Sequence, residues 1–73
     1  DEEELVKILK ELQRLSEESL EINKRLVEIL RLLRRGEVPK EEVEKKLREI
    51  KKEQEKLDRE HEKIKKRIEE ITK

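Results

Sequence analysis

His61 is the one imidazole of this chain, and Asp58 precedes it by three residues, about one helical turn. If the chain folds back near Gly36, Ser16 comes level with His61. These are the residue types of a hydrolytic triad, in which a carboxylate orients an imidazole and the imidazole takes a hydroxyl proton. That chemistry also needs an oxyanion hole, a substrate cleft and a strained nucleophile turn. The sequence shows no sign of the three, and packing inside a long bundle leaves no concave site. A zinc site shared across a symmetry axis is disfavoured too, because each chain brings a single His on what reads as an outer helix. There is no cysteine, so no thiolate site or disulfide arises. No catalytic residue, metal ligand or cofactor is expected. Protonation of His61 could still make a polar network sensitive to pH, with Asp58 partly stabilising the cation.

The same residues fit a different role. Ser16, Ser19 and Asn23 are spaced i, i+3, i+7 within an otherwise apolar stripe, and Gln54, Asp58 and His61 are spaced i, i+4, i+7. A hairpin turning near Gly36 sets Ser16 against His61, Ser19 against Asp58 and Asn23 against Gln54. Three matched levels point to a buried polar network of Ser16, Ser19, Asn23, Gln54, Asp58 and His61. Polar residues in a coiled-coil seam lower stability but specify register and partner number. Buried amides and hydroxyls left without partners cost about 1–3 kcal/mol each, so a network is needed to satisfy them. Asp58 is placed to accept from the His61 ring; Gln13 either extends the network between subunits or is a partly exposed glutamine.

Two elements must position these residues. Asp1 and Glu4 have the spacing of a capping box, and Glu2, Glu3 and Glu4 suit the positive end of a helix dipole. Leu5, Ile8, Leu12, Leu15, Ser19, Ile22, Leu26, Ile29 and Leu33 then alternate steps of three and four, the heptad pattern of a left-handed supercoil. Two further rows turn inward: Leu9, Ser16, Asn23, Leu30 and Val6, Gln13, Leu20, Val27. Together they make a stripe about 160° wide, more than one partner helix covers. Arg34 and Arg35 favour the helix end, Gly36 a left-handed C-cap, and Pro39 the first turn of a second helix. The predicted elements are a helix over 2–35, a loop over 36–38 and a helix over 39–72. The second helix carries only a narrow seam of Val43, Leu47, Ile50, Gln54, Leu57, His61, Ile64, Ile68 and Ile71. Its outside is expected to be laced by pairs such as Glu41–Lys45, Glu42–Lys46, Glu44–Arg48, Glu55–Arg59 and Glu62–Lys66.

Composition agrees with this architecture. The chain has 73 residues, 58% charged and 30% hydrophobic, with 21 basic residues against 21 acidic. Disorder of such low hydrophobicity goes with high net charge; balanced charge and strict periodicity indicate long helices. Zero net charge and no aromatic residue argue against nucleic acid. The longest apolar cluster, Val27 to Leu33, is broken by Glu28 and Arg31, so neither a membrane span nor a targeting segment is expected, and the chain reads as soluble.

The matched polar sets, the Leu/Ile/Val core, the Glu/Lys/Arg exterior and the Gly36-Glu37-Val38-Pro39 connection carry a resemblance. The chain resembles computationally designed helical hairpins of the family of de novo homo-oligomers with buried hydrogen-bond networks. The likeness spans the whole chain and is one of style; the absence of Ala departs from many such bundles. It implies an all-α fold: a two-helix antiparallel hairpin assembling into a left-handed coiled-coil-like bundle. The expected role is structural self-association, with the chain itself as partner and no nucleic acid, membrane or small-molecule substrate. The wide first stripe favours a C3 trimer, a six-helix bundle with the first helix lining the axis. The alternatives are a four-helix-bundle homodimer, or one half of a designed heterodimer or coiled-coil binding module. The interface between copies is expected to hold Leu5, Val6, Ile8, Leu9, Leu12, Gln13, Leu15, Leu20, Ile22, Leu26, Val27, Ile29, Leu30 and Leu33.

Overall fold

The computed structural model describes residues 2–73. Helix α1 runs Glu2–Arg35 and helix α2 runs Lys40–Ile71, packed antiparallel as an all-α hairpin. The expected cap by Asp1 lies outside the described residues. Glu2, Glu3 and Glu4 fill the first turn of α1, and Arg34 and Arg35 its last, both matching the dipole.

The turn follows from two residues. Gly36 has φ +70°, the left-handed conformation that ends many helices. Its N–H donates to the Leu33 carbonyl at 3.1 Å, and the Glu37 N–H donates to the Leu32 carbonyl at 3.1 Å. This pair of bonds is the Schellman pattern and satisfies carbonyls the helix itself leaves open. Val38 folds back half-buried against the core. Pro39 lies one residue earlier than a first-turn position: it is the N-cap of α2, extended at φ −61°, ψ 147°. Its carbonyl accepts from Glu42 and Val43, and no side chain caps α2. At the far end the Thr72 hydroxyl and N–H both donate to the Ile68 carbonyl, at 2.9 and 3.0 Å. A Cβ at Gly36 would meet nothing within 4 Å, so the cost of Gly36→Ala is purely conformational. It is expected to be about 1 kcal/mol per chain, lowering Tm by roughly 4–8 °C with the mass in solution unchanged.

The core is a single zipper of eight side chains. Ile8, Leu15, Ile22 and Ile29 of α1 face Val43, Ile50, Leu57 and Ile64 of α2, and all are buried. Within each helix they recur every seven residues, so each buried row keeps facing its neighbour as the helices wind together. Leu12, Ile68 and Ile71 pack half-buried beside them. Four of the residues expected at the interface between copies, Ile8, Leu15, Ile22 and Ile29, are thus taken up by the hairpin's own seam. Hydrophobicity required that these rows be covered; the nearest cover is α2.

Charges pack one flank of the seam. Arg14 reaches Glu60 at 3.2 Å, and Arg25 pairs with Glu53. Along α1, Arg14 also pairs with Glu11 and Glu18, and Arg31 with Glu28. Among the described residues, the pairs expected along the outside of α2, such as Glu41–Lys45 and Glu55–Arg59, do not form. Exposed ion pairs gain little over hydration, so spacing alone does not hold them together.

Candidate association surface

One turn of geometry defines the surface. Successive residues of a helix are separated by about 100°. Each buried residue of α1 is followed directly by one that points about a quarter turn away: Leu9 after Ile8, Ser16 after Leu15, Asn23 after Ile22, Leu30 after Ile29. All four followers are exposed, Leu9 at 64% and Leu30 at 46%. The row flanking them on one side holds Val6, Gln13, Leu20 and Val27; Val6, Leu20 and Val27 are more than 45% exposed. On the other side Leu5, Leu26 and Leu33 are exposed as well. Helix α1 therefore has two apolar faces: a narrow one filled by α2, and a broader one left open. Among the described residues, eight of the nine exposed large hydrophobic residues lie on that open face; the ninth is Leu47 of α2.

The polar residues divide between the faces. Ser16 and Asn23 occupy the middle of the open face, with Gln13 in the row beside them. Gln54 and His61 are half-buried on α2, and Asp58 is exposed. Asp58 follows Leu57, so it too points a quarter turn from the seam. The one hydrogen bond within the six-residue set runs along α2, from Gln54 Nε2 to Asp58 Oδ1 at 3.0 Å. Asp58 accepts there from Gln54, not from His61. Among the described residues, no hydrogen bond joins the Ser16, Ser19, Asn23 set to the Gln54, Asp58, His61 set, and none of the six is fully buried in a single chain. Gln13 donates to its own neighbour Glu17 at 3.4 Å. No hydrogen bond joins Ser16 to His61 among the described residues.

Two cross-helix ion pairs bracket Ser16, Ser19 and Asn23 along α1, Arg14–Glu60 on one side and Arg25–Glu53 on the other. Spacing along a single helix does not reveal them, because each joins residues far apart in the chain. A signal for one of them exists nonetheless: Arg25 and Glu53 stand three residues past Ile22 and Ile50, on the same side of the two buried rows. Hydrogen bonds that Arg14 donates, to Glu11 first and then to Glu60, raise it above the ordinary arginine range. The bonds Arg25 donates to Glu53 raise it in the same way. The stabilisation linked to a raised cation is present below the ordinary arginine range and lost only above the raised one. Neither pair is therefore switched through its arginine near neutrality, and both are solvent-screened.

The grooves along the seam are open, and charged side chains form much of their lining; the Arg14, Arg25, Glu53 and Glu60 side chains there are already paired with one another. Among the described residues no group of His and carboxylates has the arrangement of a metal site, and no helix is long and apolar enough to cross a membrane. No family model, no curated protein and no solved structure matches the chain.

Proposed function

We propose that the chain is a structural self-association module, a homo-oligomer in the manner of the designed helical hairpins it resembles, and that three copies form a six-helix bundle with α1 inside. Its role is non-catalytic: to bring copies together in one stoichiometry, with the polar residues at mid-length selecting the register. The observation that carries this reading is the continuous open face of α1, lined by Leu5, Val6, Leu9, Leu20, Leu26, Val27, Leu30 and Leu33.

Surface area supports the same reading. The chain exposes 6215 Å². A compact monomer of its 9.0 kDa mass would expose about 4,900 Å². The excess, about 1,300 Å², exceeds the ~800 Å² that one partner of a standard interface covers, and approaches what two such partners cover. The radius of gyration is 16.7 Å against about 11 Å for a compact chain of this length. A helix lining a trimer axis has two neighbours of its own kind, which fits both the area and the width of the face.

The test is absolute mass in solution at micromolar concentration, by light scattering or sedimentation equilibrium. Three chains of 9.0 kDa give about 27 kDa. A dimer mass would keep self-association and reject the trimer; a single-chain mass would reject both. Asn23→Leu and Ser19→Leu are expected to keep or raise thermal stability while broadening the distribution of oligomers, because apolar side chains cover the face without specifying who sits on it. A strongly destabilised variant of unchanged stoichiometry would count against the specifying role.

A further inference from the structure

We infer that Ser16 and Asn23 meet the same two residues of neighbouring copies, so that the polar level at mid-length is completed between chains, like against like; this deepens the self-association reading and rests on it. The row Leu9, Ser16, Asn23, Leu30 runs along the middle of the open face and is exposed throughout. It lies about a quarter turn from the seam, so the polar side chains of α2 do not complete it. Ser16 and Asn23 have no side-chain hydrogen-bond partner among the described residues, whereas Gln54 and Asp58 have found each other along α2.

The chemistry of the row fits a second copy of itself. A serine hydroxyl and an asparagine carboxamide each carry a donor and an acceptor, so each can pair with its own kind. A carboxylate, which only accepts, cannot; Asp58 is of that type and lies on α2. No member of this row is charged, in a chain that is 58% charged. Leu9 and Leu30, at either end of the polar pair, are likewise matched by their own copies. The direction follows from the ring proposed above: cyclic symmetry places identical residues at identical heights around the axis. Asn23 then faces Asn23, and Ser16 faces Ser16. An antiparallel contact would instead set Ser16 against Asn23.

The deciding experiment is charge complementation with the full chain, read by native mass spectrometry and sedimentation. Asn23→Lys and Asn23→Asp are prepared separately and then mixed. Each alone is expected to lose the assembled mass, since like charges converge on one level. The mixture is expected to recover assemblies that contain both variants. Recovery on mixing also shows that each variant can fold. Retention of the parent mass by Asn23→Lys alone and Asn23→Asp alone overturns the inference, and so does a mixture that recovers nothing. Recovery by Ser16→Lys with Asn23→Asp, but not by the two Asn23 variants together, overturns the like-against-like pairing in favour of the antiparallel one. A parent chain that proves to be a single chain in solution overturns the self-association reading itself, a separate failure seen before any variant is made.

Discussion

Replacing Leu9 and Leu30 together by Glu is expected to reduce the assembly to single chains of 9.0 kDa and to remove most of its cooperative thermal transition. Within one hairpin the change is nearly silent: both side chains already face solvent, and exposed substitutions of this kind stay within about 0.5 kcal/mol. Covered by other copies, each Glu would be a carboxylate forced out of water without a partner, costing several kcal/mol. The two situations therefore differ by an amount no measurement would miss. Sedimentation velocity and circular-dichroism melts at several concentrations read it directly. A double variant that keeps the parent's mass and melts at the parent's temperature would show that nothing covers this face. The variant also isolates the contribution of association to folding, because the seam to α2 is untouched by it.

Leu15→Ala is the complementary case. Leu15 is 0% exposed in the hairpin, midway along the zipper, so its loss leaves a cavity whatever the oligomeric state. The expected cost is about 2–5 kcal/mol per chain, the range for truncating a buried leucine. Leu20, on the open face, is half exposed, so any cost of Leu20→Ala comes mainly from covering by other copies. Comparing the two by thermal melting across a concentration series separates the inner seam from the outer face. A Leu15→Ala loss under about 1 kcal/mol would mean that α1 and α2 are not locked by this seam.

Most of the fold was legible in the residues because its determinants are local. The alternation of three and four steps, Gly36 where the backbone turns left-handed, and Pro39 where α2 begins are each readable without knowing what lies opposite. The single displacement at that boundary, Pro39 as N-cap rather than first-turn residue, is within the range where helix ends are defined by one hydrogen bond more or less. The division of α1 into two faces was harder. Apolar positions of one heptad stripe look alike in a sequence: Ile22 and Leu26 seem equally in need of cover. Only the placement of α2 shows that Ile22 is buried within the chain while Leu26 is left open. The polar levels show the same limit. A turn near Gly36 sets Ser16 level with His61 by count along the chain, yet being level does not make two side chains converge. The order of residues around the helix held the missing information: Ser16 follows Leu15, Asn23 follows Ile22 and Asp58 follows Leu57, and each is thereby turned from the seam. For Gln54, a carboxylate four residues on along its own helix was the nearer partner.

The hairpin is long and narrow, 53 Å in its greatest Cα dimension, with one turn at Gly36–Val38. Residues 2 and 71 therefore emerge together, at the pole opposite the turn. In a ring of parallel copies every chain end would leave from one pole and every turn from the other, so the assembly would have a head and a tail. A peptide or domain joined to either terminus would be displayed several times over on a single side. An insertion at the turn would be displayed on the far side, about 50 Å away, the length of a helix of this many residues.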